Sequence, residues 1–485
     1  MLAHLSCTIA LSLCAGTTLA TTQPDHQPHH QHDHDHVQGA ELETVHGCWG
    51  DAHGNLEGGQ FFLPKDPHAQ AIIDRIEASR GGIADNRVDL VIVGDGYTAD
   101  EMDTFHADAG RISDSLFRYE PFTSYENYFR ITAVEVISNE SGVDNDTQRT
   151  ISRDTALDMS YWCGGTERLL CVNVGKAYAA AASAPDIDQV IAIANSSKYG
   201  GAGYPSNNLG TAAGGNSAAA EIAIHELGHS LGDLADEYTY GGAETYTGRE
   251  LSPVDVSIYN RNEQLSRQTK WHQWLDASMT GFDGPISSYE GGNYSVFGVF
   301  RPSNNSMMRS LGREFNLVSA EQLLKEIYRE VSPIDDGTPN GSSIESDGTV
   351  WVEPMQPLNH DLTVRWFVDG KQLLSAFGQT TLDLSTLELG AGSHELRVEV
   401  TDNTNWVRNE AMRSAFMSES RTFTIEPCTA LADLTSDGVL DFFDVSAFLD
   451  AFGEQAAMAD LTGDGIYDFF DISAFLDSFA SGSCN

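Results

Sequence analysis

The 485-residue sequence predicts an α/β domain, followed by an all-β sandwich and then a small all-α module. The α/β prediction rests on a strand, helix and strand pattern that starts at Val88 and leads to an apolar helix near residue 220. Residues 348–426 instead alternate apolar and polar side chains between turn signals, as the strands of a sandwich do. The last region contains one segment twice, as Asp433–Phe452 and Asp460–Phe479, and each copy places an acidic loop before a helical pattern.

The composition indicates a folded protein with a strongly hydrated, acidic surface. Apolar residues make up 41% of the chain, the formal net charge is −44 and the pI is near 4.4. This charge disfavours nucleic acid and anionic membranes as partners, because both are also negatively charged. It attracts cations such as calcium.

The first 20 residues have the pattern of a secretion signal. Leu2–Leu19 is mostly apolar or small, and Thr18-Leu19-Ala20 fits a signal-peptide cleavage site. No later segment reaches the roughly 18 apolar residues of a membrane span. We therefore expect a protein that is secreted, extracellular or associated with the cell surface, without an integral membrane segment in its mature chain.

Residues 21–40 are polar and rich in histidine, which predicts a disordered linker, although such a tract could also collect zinc. Cysteines follow at five positions, and an oxidising exterior favours disulfides between them. Proximity predicts the pairs Cys163–Cys171 and Cys428–Cys484. Cys48 is then left over, either as a free thiol or as one half of an intermolecular bond.

Residues 41–332 are predicted to form the α/β domain. Val88–Val93 is a compact apolar run, as expected of a buried strand. Thr98 and Glu101 form a capping box that starts a helix, which should continue to about Tyr119. Phe129–Val136 is the next strand, so we expect a right-handed crossover in an α/β sheet. Further strands are expected in an edge hairpin around residues 61–63 and at residues 187–194.

A candidate catalytic centre lies on the helix near residue 220. His225 and His229 are four residues apart, so a helix places both imidazoles on one face, where they can bind one metal ion. Glu226 lies beside them and is placed to act as the general base. Zinc at a hydrolytic site takes three protein ligands, and we predict Asp236 as the third, with Glu237 as the alternative.

The ends of this helix also have local signals. Asn216 or Ser217 is expected to cap its N-terminus, because both side chains can accept a hydrogen bond from the first turn. Gly232 is expected to let the chain leave the helix early, and Asp236, Glu237 and Tyr238 follow at once.

The motif and its Ala-Asp-Glu-Tyr continuation, together with Asp89–Tyr97 and Phe117–Asp144, resemble the IgA-cleaving metallopeptidases, a metzincin-like group. The resemblance covers about residues 85–332, and the longer N-terminal β domain of that family is shortened here. It implies a metzincin-like α/β fold and a zinc peptidase whose protein substrate lies along an exposed edge strand before the helix. The sequence departs from the metzincin pattern at position 235, where alanine replaces the third histidine.

The same resemblance assigns a role to the turn at Asn304–Arg309. Ser306 and Met308 match the Met-turn, whose methionine packs beneath the metal without binding it. Ser310 stands where some relatives have a tyrosine, so the group that stabilises the oxyanion is left open.

The α/β domain is expected to end with a helix that Ser319 caps and that runs to Val331. Residues 333–347 are rich in Pro, Gly, Asp and Ser and are predicted to be a linker. Residues 348–426 resemble an immunoglobulin-like or fibronectin-like sandwich, and Asp369-Gly370 predicts one of its hairpin turns. The inward-facing residues of the predicted helix at residues 319–331 should be Leu323, Leu324, Ile327 and Tyr328.

Residues 428–485 contain the repeat, and each copy offers oxygen ligands at the spacing of a calcium loop. Aspartate at the last loop position resembles dockerin repeats, which implies two structural Ca²⁺ sites and a cohesin-like or other docking partner. Phe442-Phe443 and Phe469-Phe470 stand where dockerins contact cohesins, and they either pack the repeats together or form a docking face. The predicted ligands are Asp433, Thr435, Asp437, the Val439 carbonyl, Asp441 and Asp444 in the first loop, and Asp460, Thr462, Asp464, the Ile466 carbonyl, Asp468 and Asp471 in the second.

These features predict a secreted zinc endopeptidase that hydrolyses extracellular proteins or glycoproteins and is docked through its calcium-binding tail. The alternatives are a non-catalytic surface adhesin, or a scaffold component, with a vestigial metal site. The intact Glu226 favours the enzyme, because a vestigial site has no need of a general base.

Overall fold

The computed structural model describes residues 41–50, 56–79, 86–239, 245–278, 281–390, 392–427 and 431–481. The predicted signal, the His-rich linker and the predicted Cys428–Cys484 pair lie outside these residues. No helix in the described ranges is both long and apolar enough to cross a membrane.

A seven-stranded sheet forms the centre of the N-terminal half, with the strand order β2-β1-β6-β7-β5-β3-β4. Strands β7, β5, β3 and β4 are parallel to one another, whereas β6, β1 and β2 are joined on by antiparallel pairing. The strands are β1 (Leu42–Gly50), β2 (Leu56–Pro64), β3 (Val88–Asp95), β4 (Phe129–Val134), β5 (Gln189–Ala194), β6 (Gly201–Tyr204) and β7 (Leu209–Ala213).

Helices cover both faces of this sheet. Along β3 the side chains alternate between two separate cores, because successive residues of a strand point to opposite faces. Leu90 and Ile92 pack in the core that includes α2, α4 and α6, whereas Val91 and Val93 pack in the core that includes α1 and α3. The helices of this half are α1 (Ala69–Ser79), α2 (Met102–Leu116), α3 (Val174–Ala181), α4 (Ala219–Ser230), α5 (Arg261–Arg267) and α6 (Leu317–Glu330).

The local predictions for the first crossover are confirmed. Thr98 and Glu101 form the predicted capping box, in which the Glu101 carboxylate accepts the Thr98 backbone N–H at 2.9 Å. A short 3₁₀ turn precedes α2, which ends at Leu116, before the predicted Tyr119. Cys163 and Cys171 form the predicted disulfide, and Cys48 is buried and free among the cysteines that the structure describes.

The edge of the sheet beside the candidate catalytic helix differs from the prediction. The Gly-rich segment before α4 folds into β6 and β7, and the expected open edge at β6 is covered. The predicted N-terminal hairpin is present as β1 and β2, and β1 pairs antiparallel with β6, with His46 opposite Gly203. The outer edge of the sheet is therefore β2, away from α4.

The cap of α6 and the segment at residues 333–347 differ from the predictions. Asn316, not Ser319, caps α6, because its side chain accepts the backbone N–H groups of Val318 and Ser319. The helix nevertheless buries Leu323, Leu324, Ile327 and Tyr328 as predicted. The predicted linker at residues 333–347 contributes two short strands, so it is part of the β region that follows.

A hairpin of β8 (Tyr289–Gly292) and β9 (Ser295–Arg301) precedes α6.

The β region consists of two sheets that share one apolar core, which includes Val350, Trp366, Val398 and Phe423. Asp369 and Gly370 have φ angles of 48° and 76° and make the predicted turn. One sheet has the order β10-β12-β15 and the other β11-β17-β16-β13-β14. The elements are β10 (Ile334–Gly337), β11 (Ser343–Glu345), β12 (Thr349–Pro354), β13 (Thr363–Val368), β14 (Lys371–Gln372), β15 (Thr381–Asp383), β16 (His394–Thr401), α7 (Glu410–Phe416) and β17 (Ser418–Glu426).

The two repeats at the C-terminus end in the helices α8 (Phe442–Gly453) and α9 (Phe469–Ser481). Phe448 and Phe475, one from each helix, stack with ring centroids 4.2 Å apart and form the small core of this module. The paired phenylalanines do not pack the repeats together. They are largely exposed, by 74% and 67% at Phe442 and Phe443, and by 72% and 66% at Phe469 and Phe470.

A buried carboxylate joins the β region to the α/β half. Asp402 is fully buried and accepts hydrogen bonds from the hydroxyls of Tyr125 and Tyr328 at 2.6 and 2.7 Å. His360 contacts its other oxygen at 2.8 Å. Burial alone would raise the pKa of Asp402, but these hydrogen bonds outweigh it and leave the pKa below its ordinary value.

We expect Asp402→Ala to lower the free energy of unfolding by about 3 kcal/mol, because it removes the carboxylate that accepts hydrogen bonds from two buried tyrosine hydroxyls. Urea denaturation at pH 7 measures this, and the exposed Asp361→Ala serves as the matched control. The folded pKa of Asp402 lies below the unfolded one, so the effect is complete above the unfolded pKa. It declines as the pH falls through the folded pKa, because protonation removes the charge that strengthens these hydrogen bonds, and an effect that instead grew below pH 3.8 would contradict this assignment.

Candidate metal centre

Three side-chain atoms converge at the C-terminal end of α4. The Nε2 atoms of His225 and His229 are 3.2 Å apart, and Asp236 Oδ1 lies 3.1 Å from the first and 3.3 Å from the second. All three residues are buried, with exposures of 0–1%. The structure thus brings together the three residues that the sequence analysis selected as ligands.

This triangle has the size that a zinc ion requires. With bonds of 2.0–2.1 Å and tetrahedral angles, two ligand atoms of one zinc ion lie roughly 3.3 Å apart. The observed separations of 3.1–3.3 Å match this value. Two imidazoles and one carboxylate are also a donor set found at hydrolytic zinc sites.

Backbone carbonyls orient both imidazoles. His225 Nδ1 lies 3.1 Å from the Met307 carbonyl, and His229 Nδ1 lies 2.7 Å from the Leu234 carbonyl. A carbonyl oxygen can only accept, so each Nδ1 must carry the proton. The Nε2 lone pairs are then free and point toward the centre, as metal ligation requires. Burial also lowers the pKa of His229 to about 4, which keeps this imidazole neutral.

The chain reverses immediately after α4 and carries Asp236 back to the histidines. Asp233 has a φ of 49°, and its backbone N–H donates to the His229 carbonyl at 3.1 Å. This residue, and not the predicted Gly232, holds the left-handed conformation. Gly232 is needed for space, because a Cβ atom there would lie 2.7 Å from the Gly228 carbonyl oxygen. The predicted caps also shift: the Asn216 side chain accepts the Ala218 N–H one residue before α4 begins.

Glu237 faces away from the triangle. Its carboxylate accepts hydrogen bonds from Ser306 at 2.7 Å and from Asn316 at 2.6 Å, and its backbone N–H donates to the Met308 carbonyl. Burial raises its pKa to about 7, although these hydrogen bonds oppose the shift. Glu237 therefore anchors α4 to the turn at residue 306, and Asp236 is the acid that reaches the histidines.

Met308 lies directly beneath the helix between the two histidines. It is fully buried, and its sulfur would lie 2.6 Å from a Cβ atom added to Gly228. Glycine at this position lets the thioether approach the helix backbone. The turn at residues 306–308 thus supports the centre from below, while the Met307 carbonyl orients His225.

Glu226 lies on the sheet side of α4 and is completely buried. Its Oε1 accepts a hydrogen bond from the Cys48 thiol at 2.8 Å, and its Oε2 has no partner within the described residues. Burial raises the pKa of Glu226 to about 8, while the nearby His225 opposes the shift. A carboxylate with such a pKa can both take up and return a proton near neutral pH.

Several residues surround the centre that the sequence did not assign to it. His46 and Cys48 come from β1, and Tyr294 comes from the turn between β8 and β9. The Tyr294 hydroxyl donates to Asp236 Oδ2 and lies 3.3 Å from His46 Nδ1. The Tyr238 hydroxyl is buried and has no partner in the ranges that the structure describes. The odd cysteine at position 48 was the one available signal.

Comparison with protein families supports a peptidase at this site. Residues 76–283 match the model of one peptidase family, described as IgA Peptidase M64. The matched segment contains His225, Glu226, His229 and Asp236, and it begins after the β1–β2 hairpin. No curated protein matches the chain.

Two neighbouring acids allow a direct test of the ligand assignment. We expect Asp236→Asn to weaken zinc binding more than about 100-fold, because it removes a charged ligand from a site where even outer contacts matter 10- to 100-fold. Glu237→Gln should retain zinc but lower the free energy of unfolding by about 1–2 kcal/mol, since it disturbs only the hydrogen bonds to Ser306 and Asn316. Competition with a chromogenic chelator and thermal denaturation measure the two effects. If Glu237→Gln loses zinc and Asp236→Asn retains it, then Glu237, and not Asp236, is the third ligand.

Proposed function

We propose that this protein is a secreted zinc-dependent endopeptidase that hydrolyses extracellular proteins or glycoproteins. One observation carries the proposal. Within a segment that matches a peptidase family, two imidazoles and a carboxylate form a triangle of zinc-binding size, with a glutamate next to it in the chain. Neither the triangle nor the intact Glu226 would be expected of an adhesin whose metal site has decayed.

The residues divide the work of peptide hydrolysis among them. His225, His229 and Asp236 would hold the zinc ion, which supplies Lewis-acid polarisation of the scissile carbonyl. Glu226 takes a proton from the attacking water and returns it to the leaving amine. Tyr294 holds Asp236 through its second oxygen. The buried Tyr238 hydroxyl, which has no partner among the described residues, is the candidate for stabilising the oxyanion, since position 310 is serine.

The edge of β6 beside α4 indicates a polypeptide substrate. A peptide chain that adds to the edge of β6 would cross the end of α4, where the ligands lie, and main-chain pairing would hold many sequences equally well. An immunoglobulin is the first candidate substrate, because the matching family carries IgA in its description. Casein is a suitable general substrate for comparison.

We expect Glu226→Gln to retain zinc and to lower turnover by about 100- to 10,000-fold, the usual contribution of a general base. Cleavage of casein and of immunoglobulin A, together with the zinc content, measures this. Glu221→Gln, which changes another acid of the same helix, is the matched control and should keep its turnover. Unimpaired cleavage by Glu226→Gln would show that Glu226 is not the general base. A wild-type protein that neither binds zinc nor cleaves either substrate would favour the adhesin or scaffold.

We further propose that the C-terminal module binds two Ca²⁺ ions and docks the enzyme to a surface or assembly. The oxygen-rich repeat and the charge of −44 support cation binding, and the four exposed phenylalanines support a docking face. In each loop the last aspartate, Asp444 or Asp471, is buried and accepts backbone N–H groups across the loop. A cohesin-like protein is one candidate partner. The N-terminal signal pattern supports secretion.

We expect Asp444→Ala and Asp471→Ala each to remove about one of the two bound Ca²⁺ ions, because each changes the last ligand of one loop. Isothermal titration calorimetry of the whole chain with CaCl₂ counts the ions. The exposed Asp450→Ala, on α8 but outside the loop, should leave both. A wild-type chain that takes up no calcium would refute the assignment of the loops.

A further inference from the structure

The β1–β2 hairpin lies where a substrate would be expected. Strand β1 pairs antiparallel with β6, so it occupies the sheet edge that passes the end of α4. The pairing brings His46 opposite Gly203, and a Cβ atom on Gly203 would lie 2.6 Å from Glu226 Oε2. The main chain of β1 thus runs across the candidate catalytic residues.

Cys48 blocks the general base. Its thiol donates to Glu226 Oε1 at 2.8 Å, and its exposure is only 1%. The sulfur, a ligand nitrogen of His225 and a carboxylate oxygen of Glu226 all lie within 4.8 Å of one another. The thiol therefore stands beside the base and the metal ligands, in the space that an attacking water needs. The other Glu226 oxygen is buried and has no hydrogen-bond partner among the described residues.

His46 covers the other side of the ligand triangle. Its ring stacks on the His229 ring with centroids 4.3 Å apart, and its Nδ1 lies 3.4 Å from Asp236 Oδ2. Together, His46 and Cys48 close the centre from the side of the sheet edge. A hydrolytic zinc needs one coordination position open to water and substrate, so this arrangement is incompatible with turnover.

We propose that the β1–β2 hairpin is an intramolecular inhibitor, which occupies the substrate edge of β6 and holds the Cys48 thiol against Glu226. This inference rests on the proposed peptidase function. It assigns a latent state to the chain, in which the hairpin must leave β6 before a peptide can bind.

The strand pairing of the hairpin allows it to separate from β6. Strands β1 and β2 pair along their whole length, from Leu42 opposite Pro64 to Gly50 opposite Leu56, whereas β1 and β6 share one register pair. The hairpin can therefore move as a unit. Val45 and Leu56 are buried in the cores on the two faces of the sheet, and together with Cys48 they keep the closed state dominant. The hairpin also precedes the segment that matches the peptidase family.

The test compares the zinc-loaded full-length wild type with Cys48→Ala and with Phe62→Ser, a control at an exposed position of the same hairpin. The probe is a peptide hydroxamate, whose binding to the zinc centre is measured by calorimetry and does not depend on turnover. Removal of the thiol should open the hairpin in most molecules, so hydroxamate affinity and casein cleavage should both rise about tenfold or more. Phe62→Ser should behave as the wild type. Cys48→Val, which fills a similar volume but has no donor for Glu226, replaces Cys48→Ala if the latter does not fold.

A second measurement uses the wild type alone. Saturating hydroxamate should increase the rate at which iodoacetamide labels Cys48 by about tenfold or more, as located by peptide mapping, because ligand and hairpin exclude each other. Equal hydroxamate affinity in the wild type and Cys48→Ala, with Cys48 still protected, would show that the hairpin is a permanent wall and would overturn the inference. A failure of hydroxamate to bind any of the zinc-loaded proteins would instead overturn the proposed function, and the inference with it.

Discussion

The buried carboxylate of Asp236 is the constraint around which this structure is organised. An ionised carboxylate without water is destabilising by several kcal/mol unless other groups compensate it. Here the Tyr294 hydroxyl donates to one oxygen, whereas the Nε2 lone pairs of His225 and His229 face the other oxygen and cannot donate to it. A metal ion bound by these two nitrogens would compensate the charge of the carboxylate, which explains why α4, the chain after it and the turn between β8 and β9 meet at this point.

The second requirement is that α4 lie close to the sheet. Gly201, Gly203 and Gly210 on β6 and β7 face this helix, and Cβ atoms on them would approach Ile222 or Glu226 to between 2.5 and 3.2 Å. Larger residues would push the helix outward and separate Glu226 from the strand edge. From the opposite side, Gly228 admits Met308. The helix is thus held between a glycine-rich part of the sheet and the side chain of Met308, which fixes the position of the histidines more firmly than the helix could alone.

An enzyme that binds its substrate at a sheet edge has conflicting requirements. An exposed edge is needed for a peptide, yet an exposed edge also invites unwanted pairing. The hairpin resolves this conflict, because it presents β2 as the outer edge and keeps β6 paired. It also encloses reactive groups, since Cys48, Glu226 and both histidines are excluded from water. Protection of the edge and inhibition of the centre are then one structural feature.

Short-range patterns in the sequence were sufficient for much of this protein. The capping box at Thr98, the turn at Asp369-Gly370 and the spacing of His225 and His229 depend on contacts between residues a few positions apart. The same patterns indicated where helices and strands would form. They failed where two residues that can both cap a helix lie close together, as at α6, where Asn316 and not Ser319 provides the cap.

What the sequence by itself determined is the helix with two imidazoles on one face and an acid soon after it. Only the tertiary structure decided that Asp236 and not Glu237 reaches those imidazoles, because Ser306 and Asn316 hold Glu237 from a distant turn. Only the tertiary structure brought Cys48 to Glu226, across a separation of 178 residues. The physical reason is that strand pairing depends on which edge is left unpaired by the rest of the fold, and no local pattern around residues 46–48 carries that information.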